Sequence, residues 1–125
     1  EKVWLDRDSQ REEKCGTDAH RLAMIFQELP TFTHQAEEHL PDDELLHLQL
    51  HLMDRPDAGD VIPSGRGLRK MRWRGTGRGK RGGLRIIYYW VTDDDVIVLA
   101  RCYAKNEQEN LSADEIKNIL RQIKP

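Results

Sequence analysis

The chain has 125 residues and a mass of 14.6 kDa, with 38% hydrophobic and 34% charged residues, a size that suits one domain with a core of its own. No apolar run approaches the ~20 residues of a membrane span, no signal-peptide core opens the chain, and Cys15 and Cys102 belong to no C-x-x-C pair. A disulfide scaffold, a thiolate zinc site and a membrane partner are excluded on these grounds, and a reducing cytoplasm is the expected location.

Residues 1–23 are charged, turn-rich and aperiodic and read as an extension outside a folded domain of residues 24–125. Leu22 to Leu29 is short, apolar and closed by Pro30, which predicts a first strand. Thr31 and Thr33 then offer N-caps for a short helix through His39. Between Leu45 and Met53 the alternation of Leu46, Leu48, Leu50 and Leu52 suits a strand. The lack of β-branched residues, and Pro41 followed by Asp42, Asp43 and Glu44, favour a helix with Leu45, Leu48 and Leu52 on one stripe. Leu68 to Arg74 alternates again, with Leu68, Lys70, Arg72 and Arg74 on one face and Arg69, Met71 and Trp73 on the other. A glycine-laden loop, Gly75 to Gly83, leads to the β-branched and aromatic run Leu84 to Val91. Asp93 to Asp95 turn the chain into Val96 to Tyr103, completing an antiparallel meander. Ser112 with Glu115 forms a capping box, and Ile116, Ile119, Leu120 and Ile123 mark the apolar stripe of a last helix. The fold class is α+β: helices packed against an antiparallel sheet.

The net charge of −2 conceals a segregation. Residues 27–64 hold nine acids against Arg55 alone, whereas residues 65–85 hold nine cations and no acid. Like charges this dense repel, so an anionic partner is expected. Lys70, Arg72, Arg74 and Arg85 would share one surface, with Arg69, Arg78, Lys80 and Arg81 around it, and such a surface grips phosphates mainly by charge. Trp73, Tyr88, Tyr89 and Trp90 lie within the basic region, and their rings either stack on unpaired bases or fill the core. Gly77 to Gly82 matches G-x-G-x-x-G literally, but a strand rather than a helix follows it, so the dinucleotide reading fails. Glu44, His47 and His51 share a helix side and would suit zinc given a fourth ligand; the plainer reading is a solvated face, and no metal site or cofactor is assigned. Cys102 reads as a small buried hydrophobe.

At GDVIPSGRGLRKMRWRGTGRGKRGGLRIIYYW and YAKNE the sequence resembles the HigB-like branch of the RelE/ParE toxin superfamily, over Met24 to about Lys124. The resemblance implies the RelE-like microbial ribonuclease-type fold, two N-terminal helices on a small antiparallel sheet plus a C-terminal helix. It also selects the helix at Leu45–Met53. By function it implies a type II toxin that cleaves mRNA in the ribosomal A site, contacts ribosomal RNA and is held inactive by a HigA-like antitoxin. Some relatives instead poison DNA gyrase, and a non-enzymatic RNA-binding protein is a further alternative. Lys70 and Arg72 fall at the basic pair of the second strand, Arg85 at the arginine opening the third, and Lys105 at the basic position after the last. The tyrosine that RelE uses in cleavage has no counterpart around Asn110–Leu111.

RNA carries its own nucleophile, the 2′-hydroxyl, so a metal-independent endoribonuclease needs only to align it, move protons and stabilise the crowded phosphate. Residues 65–85 contain no His, Asp or Glu. Lys105 or Lys70 is therefore expected to handle the proton, while Arg85 and Arg72 hold the phosphate. Arg69, Arg74, Arg78, Lys80, Arg81 and Tyr88 complete the expected RNA-binding set.

Overall fold

The computed structural model describes residues 24–74, 83–105, 107–108 and 110–123; the expectations for the 1–23 extension and for Arg78, Lys80 and Arg81 fall outside them. In chain order the elements are β1 (Ile25–Glu28), α1 (Pro30–His39), α2 (Asp42–Asp54), β2 (Asp60–Val61), β3 (Leu68–Trp73), β4 (Leu84–Val91), β5 (Val96–Ala104) and α3 (Ala113–Ile123). Among the described residues no helix is long and apolar enough to cross a membrane.

The meander β3–β4–β5 forms as expected, each strand antiparallel to the next. The sheet around it is larger and is not purely antiparallel. It has five strands in the order β1-β5-β4-β3-β2, and β1 runs parallel to β5. A parallel neighbour requires a long crossover, which the elements between β1 and β5 provide. β2 is too short to carry any periodicity; it pairs Asp60 with Lys70 and Val61 with Arg69, a brief edge of the kind that discourages further strand addition.

α1 lacks the expected threonine caps. Pro30 occupies its first turn, where a missing N–H is harmless, and no side chain caps it. Thr33 Oγ1 instead donates to Glu28 Oε1 at 2.7 Å. The Leu45–Met53 stretch is helical, with Pro41 just outside and Asp42, Asp43 and Glu44 in the first turn. Its burial shows why the alternating leucines are no strand: Leu48 and Leu52 are buried, while Leu46 and Leu50 are exposed. α3 begins with the expected box, Ser112 N–H donating to Glu115 Oε1 at 3.0 Å and Glu115 N–H to Ser112 Oγ at 3.1 Å.

Strand alternation divides the core in two. α1 and α2 cover one face of the sheet through Phe32, Leu48 and Leu52, against Phe26, Ile86, Tyr88 and Leu99. α3 covers the opposite face through Ile119, against Leu68, Ile87, Val98 and Tyr103. A register shift between β4 and β5 at Ile87/Tyr88 increases the local twist. Cys102 is fully buried on the α1/α2 side, as expected, and its N–H donates to Gln35 Oε1 at 2.7 Å.

Candidate nucleic-acid interface

Register places the expected cations in rows. Arg72 of β3 lies directly opposite Arg85 of β4, and Arg85 lies opposite Tyr103 of β5. In the next row Lys70 stands between Asp60 of β2 and Ile87 of β4, with Arg101 beyond. Leu68, Ile87 and Tyr103 belong to the α3-side core, so Lys70, Arg72 and Arg85 share that face. Like charges directly opposite destabilise a strand pair, yet Arg72 faces Arg85. Gly83, at φ 72°, lets the start of β4 run close against the end of β3: a Cβ there would meet Trp73 O at 3.0 Å and Arg72 Cγ at 3.2 Å. Lys70 Nζ donates to Asn110 Oδ1 at 2.9 Å, which ties β3 to the approach of α3. Among the described residues Lys70, Arg72, Arg74 and Lys105 make no ion pair within 4.0 Å. Lys105 follows Ala104, the partner of Leu84, and therefore stands at the Arg85 end of the sheet. Arg74 follows β3 and is exposed.

Two members of the expected RNA-binding set lie elsewhere. Arg69 lies on the α1/α2 face, opposite to Lys70 and Arg72, and its Nη1 donates to Gly59 O at 2.7 Å. Tyr88 is fully buried in the α1/α2-side core and offers no ring to a base. Its hydroxyl accepts from Gly59 N–H at 2.8 Å and donates to Pro56 O at 2.7 Å, clamping the chain that leads into β2. A Cβ on Gly59 would lie 3.0 Å from this ring, so the clamp needs glycine. Trp73, Tyr89 and Trp90 are likewise packed against core clusters. The aromatics of the basic region build the fold.

A cavity of about 440 Å³ lies at the β3 edge beyond β2, lined by Lys70, Arg72, Arg85, Met71, Asp60 and His51 among others. The polar face of α2 is solvated as expected, with His47 and His51 exposed, but the His51 ring also packs beside Trp73, centroids 5.7 Å apart, and brings an imidazole to a cation cluster whose own segment has none. The second group that sequence reasoning missed is Tyr103. It is buried, and its hydroxyl has no hydrogen-bond partner among the described residues. Burial pushes this phenol up from its ordinary value, opposed by Arg85 and reinforced by Glu115, so it keeps its proton at neutral pH. Strand alternation was the available signal, since Tyr103 continues the Arg72–Arg85 row. Burial lowers the pKa of Arg101, and Glu115 offsets part of that effect.

Among the described residues Glu44, His47 and His51 do not gather ligand atoms. The group that does is Glu38, His39 and Glu107. There His39 Nε2 lies 3.0 Å from Glu107 Oε1, which also accepts from Ala104 N–H at 3.1 Å. The Ala104 bond and, after a small opposing effect of burial, His39 hold the Glu107 carboxyl below its ordinary value. This pair ties the end of α1 to the segment carrying Lys105.

No family model matches the chain. Its fold is similar to a solved structure of the E. coli toxin RelE, a doubly arginine-to-alanine substituted mutant in the free state. The TM-score is 0.52 at 10% sequence identity, covering 79% of this chain and 96% of that chain. At that identity the likeness is one of fold.

Proposed function

We propose that this chain is the toxin of a type II toxin–antitoxin pair, of the HigB-like kind, and that it is a ribosome-dependent mRNA endonuclease. The observation that carries the reading is the Arg72–Arg85 pair, two guanidinium-bearing residues opposite one another on one sheet face. Two guanidinium groups so placed are well suited to gripping one phosphate. The RelE-like fold supports the same reading.

In the proposed reaction the 2′-oxygen bonds to the scissile phosphorus and loses its proton, while the bond from phosphorus to the 5′-oxygen breaks. The departing oxygen takes up a proton, leaving a 2′,3′-cyclic phosphate and a 5′-hydroxyl. Arg72 and Arg85 hold the non-bridging oxygens as charge accumulates. Lys70, Lys105 and His51 are the groups for proton transfer. Tyr103 acts behind Arg85 as a positioning residue. His51, Asp60 and Arg72 are exposed, so the cavity is too open to exclude water or align RNA alone, and the ribosome provides the alignment. An antitoxin of HigA-like type silences the chain by covering the cationic face with an acidic or apolar segment. Ribosomes place the activity in the cytoplasm.

The test is purified chain added to ribosomes carrying a defined mRNA, with 3′-end chemistry of the fragments as readout. A cyclic phosphate formed within the A-site codon is the expected result. Intact mRNA together with inhibited DNA gyrase would replace this reading with a gyrase-directed one.

A further inference from the structure

The end of α1 and the turn after β5 bring an imidazole and two carboxylates to one point. Glu38 and His39 close α1, and Glu107 lies in the turn. One ligand atom from each lies within 4.8 Å of the other two. His39 Nε2 is 4.0 Å from Glu38 Oε1 and 3.0 Å from Glu107 Oε1. A tetrahedral zinc ion with bonds of about 2.0–2.1 Å spaces its ligand atoms about 3.3 Å apart. The two separations bracket that edge, and the one that must shorten belongs to Glu38, whose side chain is 71% exposed and mobile enough to follow.

The other two ligands are held in place. The His39 side chain is largely covered. Ala104 N–H donates to Glu107 Oε1 at 3.1 Å, while Glu107 N–H and Gln108 N–H both donate to Ala104 O. A backbone donor fixed on a ligating carboxylate is what orients metal ligands in built sites. Among the described residues neither Glu38 nor Glu107 makes an ion pair with a lysine or arginine, so two negative charges meet one imidazole with no cation of the chain between them.

We propose that Glu38, His39 and Glu107 form a zinc site, with water as the fourth ligand. One nitrogen and two carboxylate oxygens suit zinc, whereas magnesium and calcium favour oxygen alone. Binding uses the Nε2 lone pair, so the His39–Glu107 hydrogen bond gives way to one bond from each residue to the ion, and the ring keeps its proton on Nδ1. The occupied site ties α1 to the turn that carries Lys105, two residues before Glu107. The inference does not depend on the ribonuclease reading.

The experiment strips the full chain with a chelator, removes the chelator, and titrates zinc chloride by calorimetry, with magnesium chloride as the comparison. Cobalt chloride, followed by visible absorption, reports coordination number. One zinc per chain, a four-coordinate cobalt spectrum and no magnesium binding at the same concentrations are expected. Glu38→Gln and Glu107→Gln should each weaken zinc binding by at least about 10-fold; the exposure of Glu38 guards against a folding defect in that variant. His47→Gln, which removes a ligand from the α2 set, and Cys15→Ser with His20→Gln should leave binding unchanged. No zinc binding, or binding indifferent to Glu38→Gln and Glu107→Gln, overturns the inference. Loss of binding in His47→Gln or in the Cys15/His20 variant assigns the ion elsewhere and overturns it too, as does magnesium binding of equal strength.

Discussion

Replacing Arg72 by glutamine separates what the arginine pair costs the fold from what it does for the reaction. Arg72 is exposed and directly opposite Arg85. Directly opposed Cα atoms lie ~4.5–5.5 Å apart. Long side chains splay, so guanidinium centres roughly 7 Å apart in an effective dielectric of roughly 40–80 repel by about 0.6–1.2 kcal/mol. Arg72→Gln removes that repulsion and keeps a side chain of similar length. It is therefore expected to stabilise the fold by about 0.5–1 kcal/mol at low salt, while cleavage of ribosome-bound mRNA falls by at least about 100-fold. The stability gain must fade in 1 M NaCl, where the Debye length shrinks to about 3 Å. Urea unfolding at 10 mM and 1 M salt, beside a cleavage assay, measures both. A variant no more stable at low salt, or a gain indifferent to salt, would refute the claim that the two arginines are held together against their own repulsion.

Other parts of the molecule yield further expectations. Tyr88→Phe keeps the ring but strips Gly59 N–H and Pro56 O of their partner; with the Gly59 donor buried, a loss of about 2 kcal/mol in urea unfolding is expected, with the salt dependence of RNA binding unchanged. A weaker RNA interaction at unaltered stability would instead return Tyr88 to the interface. Tyr103→Phe removes a buried hydroxyl without a described partner and keeps the ring behind Arg85, so stability should rise by about 1 kcal/mol with cleavage close to wild type; a clear loss of stability would mean the hydroxyl is satisfied. Glu107 has its folded pKa lowered from the usual 4.5, so its stabilising contribution is present above that value and lost as pH falls through the lowered one. The urea midpoint of wild type should accordingly exceed that of Glu107→Gln at pH 6 and converge with it on acidification, and a gap that widens toward low pH would contradict the assigned bonds.

The parts of the fold legible in the sequence were those set by local chemistry. The Ser112–Glu115 box, the helix opened by Asp42–Glu44 and the alternation of Lys70 and Arg72 each depend on neighbours within a few residues, and all three appear. What stayed hidden depends on contacts distant in sequence. The parallel pairing of β1 with β5 joins Ile25 to Val96, and no periodicity within either strand encodes its partner. Tyr88 has the residue type of a stacking platform, and only the bond from Gly59, 29 positions away, reveals it as a clamp. His51 and Tyr103 reach the cation cluster from α2 and β5. His51 looked like one more polar residue on a helix, because its surroundings are supplied by Trp73 and the β3 edge.

The most direct test of the account is the fate of a defined mRNA on purified ribosomes with wild type and with Arg85→Ala. Wild type should cut the message in the A-site codon. The variant should bind ribosomes, unfold at a wild-type urea midpoint within about 1 kcal/mol, and leave the message whole. Cutting by Arg85→Ala at near wild-type rate would show that the paired arginines do not hold the reacting phosphate.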